Sequence, residues 1–405
     1  MTDILSITGQ PIFDDRIVKI ETHTYNPYAN ATFGHSDEIR IPIQQQDLYT
    51  LPCDSFLYIE GRLTSKASDK QDAQLKLANN CVAFMFDEIR YEIDGVEIDR
   101  NRNVGITSTM KNYASLTSER AAILYNAGWD LLPHPITSPT FDFNFCVPLN
   151  LLLGFCEDYK RVIINARHEL IMIRARNDNN CLVSPEALDP KIELIKIQWR
   201  MPHVILNEVS KLSLLRTLDS GRYLSVAFRS WDLYEFPLLQ NTTKHSWAVK
   251  AATQLEKPRF VIFALQTARK NVLSKQSYVF DHCKLANVKL YLNSEFYPYD
   301  DMNLDFERNK IAVLYHMYAR FRKTYYDSDK EEETLLTMQK FLFNGPLAVI
   351  DCSRQNESIK SATVDVRLEF DCKENVPPNT TAYCLIIHDR VIEYNPLTNV
   401  VRRIV

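Results

Sequence analysis

The sequence predicts an all-β chain folded as two consecutive β sandwiches with helices carried in their loops. Three observations carry that reading. One order of elements occurs twice, alternating apolar and polar residues dominate, and helical patterns are few and sit between strands. Ile89 to Ser115 gives an alternating strand, the turn Asp94-Gly95, a second short strand, an Asp/Asn/Arg-rich stretch and then a helical pattern. Val288 to Phe321 gives the same series around Asn293-Ser294, about 200 residues later and half the chain away.

In chain order, the first half opens with a strand over Ser55 to Thr64. A second over Phe84 to Ile93 alternates from Phe86 onward, as a half-buried sheet strand does. Asp94-Gly95 is the strongest hairpin turn, because both residues tolerate positive φ. Short helices are expected at Ser118 to Tyr125 and Pro148 to Phe155, on either side of the break Phe145-Cys-Val-Pro148. A long strand over Ile163 to Arg174 follows, and Lys191 to Arg200 closes the half, stopping at Met201-Pro202-His203. The second half repeats these landmarks. Strands are expected at Tyr223 to Trp231, Arg259 to Thr267, Val288 to Leu292, Ala362 to Phe370 and Ala382 to Asn395, with a break at Phe343-Asn-Gly-Pro346. Leu304 to Tyr318 reads as an amphipathic helix, acidic early and basic late, as the helix dipole favours. Glu331 to Phe341 is a shorter helical candidate.

These landmarks divide the chain into units over residues 16–203 and 220–405, joined by a connector over 204–219. The connector pattern from Asn207 to Leu218 is amphipathic and lacks the Gly/Ser or Pro richness of a flexible linker. It is expected to pack between two rigidly joined halves. At 405 residues and 47.1 kDa the chain suits two domains better than one core.

Charge is nearly balanced, with a net of -4 and pI near 6.2, which argues against a dedicated nucleic-acid binder. No apolar run approaches the roughly 18 residues of a membrane span. The opening MTDILSITGQPIFDD lacks the basic region and apolar core of a signal peptide, so a protein made and assembled inside a cell is expected. Nine cysteines, an odd number without zinc or redox spacing, read as reduced thiols packed in strands.

Candidate chemistry is thin. His203, after Pro202 at the junction, reads as a histidine satisfied by backbone groups rather than a ligand. His168 and Glu169 are consecutive on a strand, face opposite sides and cannot share a metal. The acidic stretch Tyr299 to Asp305 lacks the spacing and glycine of a calcium loop; Asn303 or Asp301 is expected to cap the following helix. Lys330-Glu331-Glu332-Glu333 reads as a solvated helix start. No nucleophile elbow, phosphate-cradling loop or paired catalytic motif is present, and nothing calls for a metal or cofactor. Tyrosines crowd two places, Tyr25 and Tyr28 near the start and Tyr297, Tyr299, Tyr325 and Tyr326 in the second-half insertion. Both core packing and interface contact explain such crowding. The tail Val401-Arg402-Arg403-Ile404-Val405 fits either a final strand or an arm docking on a neighbour.

One family matches this pattern. Tyr25-Asn-Pro-Tyr28, Ile39 to Ile43, Asp54 to Leu63, Asp87 to Gly95, Pro148 to Tyr159 and Trp199 to His203 resemble the double jelly-roll-like proteins of invertebrate genomes. These are similar to the major capsid proteins of Polinton/Maverick elements and adintovirus-like DNA viruses. The resemblance spans nearly the whole chain. It implies two tandem jelly rolls, each of eight antiparallel strands, after a short N-terminal arm over residues 1–15. It further implies a structural protein of the virion, not an enzyme. Three copies would form a pseudo-hexagonal capsomer tiling an icosahedral shell, with a minor penton protein as further partner. Subunit contacts are then expected at Tyr25, Tyr28, Tyr297, Tyr299, Tyr325, Tyr326, Arg402 and Arg403. Two rivals remain: a jelly-roll binding protein domesticated by a host, and a tandem jelly-roll glycan-processing enzyme, which needs acidic residues meeting in an interdomain cleft.

Overall fold

The computed structural model describes residues 15–29, 31–44, 49–65, 75–130, 134–135, 141–185, 189–219, 221–250, 258–328, 333–354 and 364–404. The expected N-terminal arm, apart from Asp15, lies outside the described residues, as do Lys330, Glu331 and Glu332 of the charge run.

Alternation along the first half becomes strands β1 (Ile17–Tyr25), β2 (Glu38–Ile43), β3 (Phe56–Thr64), β4 (Phe86–Ile93), β5 (Val96–Arg102), β6 (Asp142–Pro148), β7 (His168–Arg174) and β8 (Lys191–Leu206). They pair antiparallel in two sheets, ordered β1-β8-β3-β6 and β2-β7-β4-β5; the short strands Tyr49–Thr50 and Ile163–Ile164 extend the first. The second half gives β9 (Leu224–Phe236), β10 (Lys244–Lys250), β11 (Pro258–Thr267), β12 (Leu285–Leu292), β13 (Glu295–Tyr297), β14 (Ala348–Asp351), β15 (Val366–Cys372) and β16 (Thr380–Asn395). Their orders are β9-β16-β11-β14 and β10-β15-β12-β13, the same permutation as in the first half. First with eighth, third with sixth, second with seventh and fourth with fifth is the pairing of a jelly roll. The predicted all-β tandem jelly roll is therefore the observed fold. The open tail question resolves as a strand: β17 (Val400–Ile404) pairs with β16.

The helices are α1 (Cys81–Phe84), α2 (Val104–Ser115), α3 (Ser118–Ile123), α4 (Gly154–Asp158), α5 (Glu208–Asp219), α6 (Ala312–Tyr325) and α7 (Met338–Asn344). Apart from α5 they lie in loops between strands of the sandwiches, as expected. Several boundaries differ, each for a local reason. The strand predicted over Ile163 to Arg174 is broken, because Asn165 adopts φ 50° and its side-chain amide donates to Pro396 O at 2.9 Å. The strand predicted to stop at Met201 runs on to Leu206, since β1 pairs along this end of it and Pro202 O accepts from Leu51 N.

Helix α6 begins at Ala312 rather than Leu304. Asp305 and Lys310 exchange backbone hydrogen bonds of 3.0 and 2.8 Å around Asn309, at φ 54°, which closes a turn where the first helical residues were expected. No side chain caps α6; Asp301 pairs with Lys289 at 2.7 Å, and Asn303 itself sits at φ 48°. The buried face of α6 is Leu314, Tyr318, Phe321 and Tyr325. The connector helix α5 is also corrected. It is capped by Asn207, whose side chain accepts from Ser210 N at 2.7 Å, yet it buries only Leu218. It leaves Val209, Leu212 and Leu215 exposed, so something other than α5 holds the halves together.

Candidate assembly surfaces

What joins the sandwiches is a seam between β5 of the first and β9 of the second, reinforced by α2, α4 and α6. Asp99 on β5 is fully buried and accepts from Ser230 Oγ on β9 at 2.7 Å and from Phe155 N on α4 at 3.0 Å. Arg390 on β16 stands 3.9 Å away and donates to Ile98 O at 3.1 Å. Burial raises the Asp99 pKa, with Arg390 and these hydrogen bonds opposing. Arg229 on β9 grips Asp158 of α4 through Nε and Nη2, at 2.8 and 2.6 Å, and its guanidinium lies 3.5 Å over the Tyr325 ring. Such bidentate geometry fixes both distance and orientation between the halves.

Lys111, at 1% exposure, pairs with Glu157 and sits 4.6 Å from the Trp231 ring and 5.2 Å from Tyr325. Burial lowers its pKa, with Glu157 opposing. Glu157 also accepts from Tyr325 OH at 2.8 Å and Tyr326 OH at 2.6 Å. Gly154 lets the chains meet this closely: a Cβ there would lie 1.8 Å from Arg229 O. Above these contacts, Tyr113 OH donates to Tyr278 O at 3.0 Å and Tyr318 OH to Tyr113 O at 2.9 Å, so the inserted loops are also tied. The buried hydrophobic residues of both sandwiches form one continuous cluster.

The seam borders a cleft of about 860 Å³ that includes Asp54, Arg120, Glu157, Asp158, Arg322 and Asp327. Acidic residues thus meet between the sandwiches. Glu157 and Asp158, however, are engaged by Lys111, Arg229 and two tyrosine hydroxyls, the chemistry of a joint. Among the described residues no three His, Cys, Asp or Glu side chains come together to hold a metal ion. His168 is buried between Thr50 Oγ1 and Tyr91 OH, both at 2.9 Å, and burial pushes its pKa down to about 3. His203 is satisfied by a side chain rather than by backbone: Tyr25 OH lies 2.9 Å from Nε2, and His23 stacks on its ring at 4.1 Å. Burial first and His23 second push His203 down to about 4.

The residues expected at subunit contacts separate into two groups. Tyr325 is 3% exposed and belongs to the internal seam, so it is corrected from surface to core. Tyr326 contributes its hydroxyl to the same seam and keeps part of its ring outside. Arg403 donates to Glu97 O at 3.0 Å, tying β17 to β5, and Arg402 lies 4.5 Å over the Tyr223 ring. These arginines are occupied within the chain. By contrast, Tyr28 and Tyr299 are exposed, and Tyr25 and Tyr297 partly so, along the outer edges β1 and β13. The seam residues Asp99, Lys111, Gly154 and Arg229 were not singled out from sequence. One signal was available: α2 carries a single charge in twelve residues, as a helix buried all round does.

Among curated protein sequences none matches the chain. Solved structures match at low identity over almost the whole chain. The PBCV-1 VP54 structure fitted into a reconstruction of the virophage Sputnik gives a TM-score of 0.61 at 9% identity, covering 98% of this chain and 99% of that one. The structure of the Sputnik virophage gives 0.62 at 8%, covering 100% and 92%. The mavirus major capsid protein gives 0.56 at 10%, covering 100% and 93%. The family model for the double jelly roll-like domain matches residues 75–392, and this chain belongs to that family.

Proposed function

We propose that this chain is a structural major capsid protein, with no catalytic role, of an icosahedral double-stranded DNA virus or a virus-like element of the Polinton/Maverick or adintovirus kind. The observation that carries the reading is the seam. Two jelly rolls of one topology are joined side by side by the Arg229–Asp158 pair, the buried Ser230–Asp99 hydrogen bond, Lys111 over the Trp231 ring and a shared apolar cluster, as a single tile requires. The likeness to virophage and mavirus capsid structures over almost the full chain supports the same reading. Three such tiles present six sandwiches and make a pseudo-hexagonal capsomer; shells of these then assemble in the host cell, with a separate penton protein closing the vertices.

Electron microscopy of the expressed protein tests this. Shells or sheets tiled by hexagonal capsomers are expected. Isolated single molecules at every salt and pH, at concentrations where capsid proteins assemble, contradict it.

A further inference from the structure

A histidine network lies away from the seam, at the outer edge of the first sandwich. β1 pairs with β8 alone among the described residues, and every residue of it is at least partly exposed, so little burial holds it in place. Glu21, His23 and Tyr25 lie opposite His203, Met201 and Trp199 of β8, on one face of the sheet. His203 is 5% exposed and makes the closing contacts: His23 stacks on its ring with centroids 4.1 Å apart, and Tyr25 OH lies 2.9 Å from its Nε2. A neutral imidazole accepts the Tyr25 proton there, whereas an imidazolium, with a hydrogen on both nitrogens, cannot.

The groups around His203 do little to support its charged form. On the far side of β8, Thr50 pairs with His203 in register and its Oγ1 lies 2.9 Å from Nε2 of buried His168, whose Nδ1 meets Tyr91 OH. Three imidazoles thus lead from half-exposed His23 into the core. The carboxylate facing His203 is Glu21, which is solvent-facing and already paired with Lys19 and, at 3.5 Å, with His23. Burial first and His23 second hold His203 neutral down to about 4, with Glu21 a smaller, opposing influence.

We propose that β1 is an acid-released strap: uptake of one proton by His203 frees residues 21–25 from β8 while the rest of the first sandwich stays folded. The proton comes from solvent to Nε2, and Tyr25 keeps its own and turns to water. Bonds at the two ends, Asn207 N to Arg16 O at 2.9 Å and Tyr28 N to Arg40 O at 3.3 Å, join neutral groups and persist as tethers. Release bares the β8 edge with Trp199 and Met201, both fully buried when the strap is shut, so a covered edge becomes an adhesive one. A released histidine titrates near 6.5, so the open form binds the extra proton between that value and about 4. The strap stays shut above pH 6.5, and opening gains about tenfold for each unit below it.

The test is hydrogen exchange of the full chain, read by peptide mass spectrometry at a series of pH values and corrected for the intrinsic pH dependence of exchange. Between pH 7.5 and 5, protection over residues 21–25 should fall about 30-fold, while β3 and β6 of the same sheet keep theirs. A β1 that keeps its protection, or loses it only together with β3 and β6, overturns the proposal. His203→Gln can still accept from Tyr25 but does not titrate, so the fall should disappear; a fall of the same size in that variant overturns the proposal. The shape of the wild-type curve needs no variant: a loss that begins only below about pH 4.5, where carboxylates titrate, would also overturn it.

Discussion

Replacing Gly154 by alanine should split the two sandwiches. The new Cβ would fall 1.8 Å from Arg229 O, where real Cβ contacts essentially never come under 3.0 Å. The junction must therefore open by more than an ångström between α4 and β9, both fixed elements. That movement removes the Phe155 N donor from buried Asp99 and strains the Arg229–Asp158 pair. Overpacking costs about 1–3 kcal/mol, and loosening a hydrogen bond to a buried carboxylate costs about 1–3 kcal/mol more. Alanine in the first turn of α4 returns up to about 1 kcal/mol. A net loss of about 1–6 kcal/mol, centred near 3, is expected in urea unfolding, followed by tryptophan fluorescence, since Trp231 sits in the seam. Gly221→Ala is the control: its φ is 67° and nothing lies within 4 Å, so only a backbone penalty of about 1 kcal/mol applies. Equal stability of the two variants would refute the close-approach argument.

Other expectations follow from the same contacts. Lys111→Met leaves Glu157 without its buried cation and costs about 3–5 kcal/mol, while the double variant Lys111→Met/Glu157→Gln recovers most of it; a double variant as unstable as the single one contradicts this. An unfolded histidine titrates near 6.5, whereas buried His168 stays neutral down to about 3. Between these values the unfolded chain binds the extra proton, so stability is intact above pH 6.5 and falls below it, by about 1.4 kcal/mol per pH unit from this group. His168→Gln should flatten the dependence of urea stability on pH between about 6 and 4.5 by that amount, and an unchanged slope counts against it. His203 acts in the same direction. Arg403→Ala, which cuts only a partly exposed tie to Glu97, should cost less than about 1 kcal/mol and leave association unchanged; loss of particles would return Arg403 to a subunit contact.

Much of the fold was legible because strand alternation and turn chemistry are local. Asp94-Gly95 reaches φ 49° and 77°, as a hairpin of that type demands; β4 lies where alternation put it, while β9 runs on past Trp231 to Phe236 and β12 starts earlier, at Leu285. Helix starts were less legible. Leu304 continues the apolar pattern of α6, but it is held by a backbone bond to Ala286 O, a partner 18 residues earlier that no local pattern reveals. The seam was the least visible. Its ion pairs join Lys111 to Glu157 and Asp158 to Arg229 across separate elements, and each residue alone looks like an ordinary surface charge. The tyrosine clusters were visible as clusters. Whether a ring faced inward, like Tyr325, or outward, like Tyr299, depended on the packing of α6 and the edge of β13.

The measurement closest to the central claim is the mass of the purified full chain in solution by light scattering, across salt and pH. A species of about 141 kDa, three times 47.1 kDa, or larger particles built from it, is expected. A chain that remains at 47.1 kDa under all those conditions would contradict a self-sufficient capsomer.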